Sequence, residues 1–118
     1  LPKGDSRKMV ETLVEFVYST HEFPAALHRE IMILSLSDPE FEAAVSTDAS
    51  ETHAKFAQLM MPYTDRFRVN QHDEAVRELV GLVMEGVIHE MVMRRTHSDD
   101  ATLKAQLTDL LHRYMFKQ

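Results

Sequence analysis

Residues His72 to Arg95 read HDEAVRELVGLVMEGVIHEMVMRR, and the reading of this stretch decides the fold class. It contains no proline, and its apolar side chains recur at three- and four-residue spacing, the period of an α-helix. Asp73 is placed to cap it, Glu74 sits in the first turn, and Arg94 and Arg95 close the last, so charge of the right sign meets the helix dipole at both ends. A helix of this length spans roughly 35 Å at about 1.5 Å per residue. Glu74, Glu78, Gly81, Glu85 and His89 fall on one narrow stripe, while Val76, Leu79, Val80, Val83, Met84, Val87, Ile88, Met91 and Val92 cover the rest of the circumference. That apolar coverage exceeds what packing against one layer needs. The helix is therefore expected to be buried on two sides. In a chain of 118 residues the second burial comes most economically from another subunit.

Working outward, Thr96-His97-Ser98 separates this helix from a last one, which starts with Ser98, Asp99 and Asp100 as a cap and two acids and ends near Arg113 and Lys117. Leu103, Leu107, Leu110, Leu111 and Tyr114 form its apolar stripe. Lys104, Thr108 and His112 lie opposite, so this helix is expected to dock by one face only. Toward the amino end, Asp5 or Ser6 caps a helix reaching about Thr20, with Met9, Val10, Leu13, Val14, Phe16 and Val17 in its stripe. Pro24 opens a second helix with Leu27, Ile31 and Leu34 facing inward, and Asp38-Pro39 opens a third, running to about Tyr63. A break in that third helix is expected near Asp48 or Ser50, where hydroxyl and acid side chains offer a competing cap, and Pro62 loosens its end. Thr64 to Gln71 reads as the longest loop. No strand pattern or repeat competes, so the class is all-α: a five-helix bundle forming one domain over 1–118. Gly81 and Gly86 each cost a helix about 1 kcal/mol relative to alanine; they are expected to mark close approach of another helix or of a ligand.

The formal net charge of -6, with no basic run or stripe, argues against this chain gripping a phosphate backbone. Cysteine is absent, so nothing points to an oxidising compartment or a thiolate metal site. No apolar run is long enough to span a bilayer, and no signal-like amino end is present, so no membrane partner and a cytoplasmic location are expected. Leu1-Pro2-Lys3-Gly4 reads like a linker, as in a fragment of a longer protein.

Catalytic and metal signals are poor. His89-Glu90-Met91-Val92-Met93 begins like the zinc-protease motif but puts Met93 where the second imidazole belongs, and Asp109-Leu110-Leu111-His112 supplies a single carboxylate-histidine pair where a di-iron bundle needs two. His21, His28, His53, His72 and His97 sit mostly near turns or polar faces. No phosphate loop and no nucleophile elbow occurs. The expectation is no enzyme, no metal and no cofactor. What remains is a set of soft apolar residues. Methionine at helical spacing is usually core, but its unbranched thioether also lines adaptable pockets. Phe16, Met32, Phe56, Met60 and Met84, on different helices, are the candidate lining of a common cavity for a largely apolar guest, with one hydrogen bond from His28, His53 or Tyr63.

Three runs carry a resemblance. Leu27-His28-Arg29-Glu30-Ile31 leads to Leu34-Ser35-Leu36-Ser37-Asp38-Pro39-Glu40; Val83-Met84-Glu85-Gly86-Val87 follows; and Asp99-Asp100-Ala101-Thr102-Leu103 leads to Leu110-Leu111-His112-Arg113-Tyr114-Met115. Together they resemble the carboxy-terminal domain of TetR-family transcriptional regulators, over nearly the whole chain, through helix order, the Asp-Pro break and the small-residue turn of the penultimate helix. The family's amino-terminal helix-turn-helix is missing from this sequence. The resemblance implies a bacterial, ligand-responsive repressor or activator whose last two helices form a four-helix bundle across a two-fold axis. Val83, Val87, Met91, Leu107, Leu110, Leu111 and Tyr114 are then the expected homodimer interface. It implies a small hydrophobic effector held by the preceding helices and DNA contacted only through the missing domain. The alternative is a free-standing helical dimerisation or adaptor module with no ligand and a filled core.

Overall fold

Among the described residues, four of the five helices begin where an aspartate dictates. In the computed structural model, which describes residues 5–118, the order is α1 (Ser6–Ser19), α2 (Ala25–Ser37), α3 (Pro39–Met60), a 3-10 turn over Met61–Arg66, α4 (Glu74–Val92) and α5 (Asp100–Met115). The linker-like residues 1–4 lie outside the described residues. The Asp5 carboxylate accepts from the Lys8 amide at 2.8 Å, Asp38 from Glu40 and Phe41 at 3.0 and 3.3 Å, Asp73 from Ala75 at 2.9 Å and Asp99 from Thr102 at 2.8 Å. Each such cap is worth about 1 kcal/mol. At Asp99 the amide and hydroxyl of Thr102 also hold the carboxyl below its usual range. α2 has no side-chain cap; Pro24 takes the capping position with φ -57° and ψ 145° and the helix starts at Ala25, one residue later than expected.

The long third helix is unbroken. Its 22 residues pass through Asp48 and Ser50 without interruption, and the hydroxyl of nearby Thr47 bonds back to the Ala43 carbonyl at 3.0 Å, staying inside the helix where a break was expected. Pro62 does loosen the ladder, into the 3-10 turn. The expected loop over Thr64–Gln71 is correspondingly shorter, and it carries a feature that periodicity does not show. Phe67 and Phe116 form an isolated antiparallel bridge: the Arg68 amide donates to the Met115 carbonyl at 2.7 Å and the Lys117 amide to the Arg66 carbonyl at 2.8 Å.

α4 stops at Val92, so Arg94 and Arg95 lie beyond its last turn. Arg94 has φ 58°, and the amides of Arg94 and Arg95 reach back to the carbonyls of Met91 and Glu90, each at 3.1 Å. Glycine normally supplies this left-handed closure; an arginine there costs about 1–2 kcal/mol of backbone strain.

The chain divides into two compact units, one running to Glu22 and resuming at Pro62–Gln118, the other Phe23–Met61. In the first, α1, α4 and α5 enclose Val10, Val14, Ile88 and Phe116, with Leu13, Val17, Met84, Met91, Leu107, Leu111 and Met115 around them. In the second, α2 packs on α3, and the inward stripe expected on α2 is not what is buried: Leu27 and Leu34 are exposed, Ile31 is half-buried, and His28 is the buried residue, its ring stacked on Phe23 at 3.9 Å. α2 is apolar around most of its circumference, and one neighbouring helix covers only a narrow strip of it.

α4 is covered on one side only within the chain. Met84, Ile88 and Met91 are buried, Val76, Val80, Val83 and Val87 are half-buried, and Leu79 and Leu82 are exposed. A Cβ added at Gly81 or Gly86 meets nothing within 4 Å, so among the described residues nothing makes the close approach expected at these glycines. Among the described residues no helix is long and apolar enough to cross a membrane.

Candidate functional site

The six residues expected around an effector divide between the two units. Phe16, Tyr63 and Met84 belong to the first; there Met84 and Tyr63 are core residues, Tyr63 meeting the Phe116 ring edge-on at 6.4 Å, and Phe16 is exposed. Met32, Phe56 and Met60 belong to the second, with Met32 exposed and the other two half-buried. Of the hydrogen-bonding anchors, His28 is buried against Phe23 and His53 is exposed.

The leucine stripe of α5 is two stripes. At 100° per residue Leu107, Leu111 and Met115 share one face and are buried in the chain's own core, together with Met91 of α4. Leu103, Leu110 and Tyr114 point to the adjoining flank, where Leu110 is exposed and the other two are half-buried. Of the residues expected at a dimer interface, Met91, Leu107 and Leu111 are therefore committed to the protomer. Leu110, Val83, Val87 and Tyr114 retain surface for a partner.

The polar side of α5, expected to face water, packs on α1. Thr108 is buried, and Ser6 Oγ lies 2.8 Å from His112 Nε2. Arg7 pairs with Asp109 at 3.0 Å, and Lys104 with Glu15 at 2.8 Å while lying 4.3 Å from the centre of the Tyr18 ring. The Tyr18 hydroxyl donates to Asp100, and that bond, with burial adding, pushes its pKa up to about 12. Arg113 and Arg7 together hold the Asp109 carboxyl below its usual range. Helical periodicity misassigned this face because threonine, lysine and histidine count as polar, although their stems and rings pack well when their heads find partners.

Ser6 and His112 have the spacing of a nucleophile and its base, but Ser6 is buried and the imidazole stacks on Phe116 at 5.4 Å, so the pair fastens the first turn of α1 to the last turn of α5. Burial, then the nearby Arg7 cation, push His112 below its ordinary pKa. The fold thus favours the neutral ring. Below about pH 6.5 the unfolded chain takes the proton first, and this contribution to stability is lost as pH falls through the lowered folded value.

An open groove of about 440 Å³ runs between α1 and α5, lined by Ala101, Ala105 and Thr108 on one side and by Arg7, Glu11 and Glu15 on the other. Its charges are engaged with one another, Arg7 with Asp109, Lys8 with Glu11 and Lys104 with Glu15. It therefore offers no convergent set of groups to an apolar guest.

At the far end of α1 the His21 ring lies against α4. Its Nε2 is 2.9 Å from Glu85 Oε2, its Nδ1 is 2.8 Å from the Val17 carbonyl, and its ring centre is 6.3 Å from that of His89. Glu85 and His89 are two members of the polar stripe of α4, and the reason for that stripe is in part this histidine. No sequence signal marks the pairing of His21 with Glu85, which are 64 positions apart in the chain. Among the described residues no group of three or more histidine, aspartate or glutamate side chains is arranged to hold a metal ion. Compared with known proteins, the chain matches no family model, no curated protein and no solved structure.

Proposed function

We propose that the chain is the dimerisation and effector-binding half of a TetR-like, ligand-responsive transcriptional regulator, acting as a repressor in the cytoplasm, with DNA contacted by a helix-turn-helix that this sequence does not contain. One observation carries the reading: the last two helices keep an uncovered apolar flank, with Leu79, Leu82 and Leu110 exposed beside half-buried Val83, Val87, Leu103 and Tyr114. Large apolar side chains left in water on a helix pair are the residues that an interaction face would use. A second copy of the same pair would complete a four-helix bundle, the arrangement that the resemblance in helix order and in the Asp38-Pro39 break implies. The effector then acts by population shift. It weakens operator binding by the factor by which it prefers the arrangement that does not bind DNA. A ligand-free dimerisation module is the second reading, and the charge-lined groove between α1 and α5 favours it.

Thermal-shift screening of small apolar and aromatic compounds against the chain separates the two. A guest that binds only the folded state adds about 2.7 kcal/mol at a hundredfold excess over its Kd, a shift of roughly 10 °C for a domain of this size. On the effector reading some compounds produce that shift and Met60→Trp abolishes it with the oligomeric state unchanged. A flat response across a chemically diverse set contradicts effector binding and leaves the module reading.

A further inference from the structure

His21 stands at the end of α1, directly before the chain leaves the first unit after Glu22. Each ring nitrogen faces an oxygen that only accepts, and the Thr20 hydroxyl, which can donate, lies beside Nδ1. The Val17 carbonyl, 2.8 Å from Nδ1, has no proton to give, and an ionised Glu85 carboxylate, 2.9 Å from Nε2, has none either. A neutral imidazole carries one N–H and donates to only one of these two oxygens; with the proton on Nε2 it keeps Glu85 and loses the bond to Val17, the Thr20 hydroxyl being within reach of Nδ1. The imidazolium satisfies both. Its charge also lies at the carboxyl end of α1, where the helix dipole favours a cation. The Thr20 hydroxyl, 3.1 Å from Nδ1, is itself bonded to the Val17 carbonyl at 2.7 Å and completes the corner.

From this geometry we infer that His21 and Glu85 form a proton-operated latch between the end of α1 and the middle of α4, held by both bonds of a charged ring when His21 carries two protons and weakened to a single neutral bond when it carries one. Titratable groups facing the ring include Glu85 and His89 of α4, with Glu22 next in the chain; at this end of α5, Asp100 is engaged by Tyr18. The Glu85 hydrogen bond holds His21 above its ordinary pKa, against the opposing effect of burial and with help from the Val17 carbonyl. The sign follows. The folded state holds its proton to higher pH than the unfolded chain, so the latch's stabilisation is complete below about pH 6.5 and is lost as pH rises through the folded value. Burial shifts His112 in the opposite direction from the ordinary imidazole value, so two histidines with opposite environments weaken the fold from both directions of pH.

The test follows the imidazole nitrogen and carbon resonances of His21 by NMR in the full chain from pH 5 to 9, with amide hydrogen exchange corrected for its intrinsic pH dependence. His21 should titrate above the value of an unstructured histidine, and Glu85→Gln should bring it down toward that value. In the wild type, protection of the Thr20 and His21 amides, which close the end of α1 on Phe16 and Tyr18, should fall through the same pH range, while amides in the middle of α5 keep theirs. By linkage the factor of protection lost should match the factor between the two acid constants. Should Glu85→Gln fail to fold, wild-type titration and exchange alone decide the matter. Titration of His21 at or below the unstructured value, or protection at the end of α1 that is indifferent to its protonation, overturns the latch.

Discussion

Phe116→Ala lowers the unfolding free energy by about 3–5 kcal/mol, the range for truncating a fully buried aromatic residue. Chain ends usually fray, and α5 has already stopped at Met115. Phe116 nevertheless has no exposed surface, with Phe67 at 4.6 Å, His112 at 5.4 Å and Tyr63 at 6.4 Å between ring centres. The backbone on either side holds it there through the bridge to Arg66 and Arg68, and the Arg68 guanidinium adds a bond to the Tyr114 carbonyl at 2.8 Å. Removing the ring empties the point where α5, the 3-10 turn and the loop after it meet. Urea unfolding followed by far-ultraviolet circular dichroism measures the loss. Leu36→Ala is the control: Leu36 is 89% exposed, and its truncation should change stability by no more than about 0.5 kcal/mol. A loss below about 1 kcal/mol for Phe116→Ala contradicts the tail's place in the core.

Ile88→Ala should cost about 2–5 kcal/mol by the same measurement, whereas Leu82→Ala, six positions earlier on α4, should leave the protomer's stability within about 0.5 kcal/mol. Ile88 is completely buried and Leu82 is 71% exposed. The contrast carries more than either value, because the two residues are equally apolar and sit on one helix. Similar losses for both, independent of protein concentration, contradict the orientation of α4. A loss at Leu82 that appears only at high protein concentration belongs to an interface between copies.

Helix existence and order were readable, and caps nearly so, because they depend on neighbours in the chain: Asp5, Asp38 and Asp73 cap within three residues of themselves, while at α5 the cap is Asp99, one residue past Ser98. Which face of each helix is covered depends on partners far away, and there the pattern misled. Thr108 and His112 are polar by type yet pack against α1, and Leu27 and Leu34 are apolar yet exposed. The Phe67–Phe116 bridge joins residues 49 positions apart in the chain and leaves no periodic trace. The same holds for His21 with Glu85. Local grammar names the elements, and the pairing of polar heads across helices has to be seen.

Light scattering on the eluting peak of a sizing column, at tens of micromolar protein, tests the central proposal most directly. Two copies joined through the uncovered flank of α4 and α5 give a mass about twice the 13.6 kDa of one chain, and Leu110→Lys, at a residue that is 53% exposed in the protomer, gives a folded species of single-chain mass with unchanged helix content. A wild-type mass of 13.6 kDa at that concentration, or a dimer indifferent to Leu110→Lys, contradicts it.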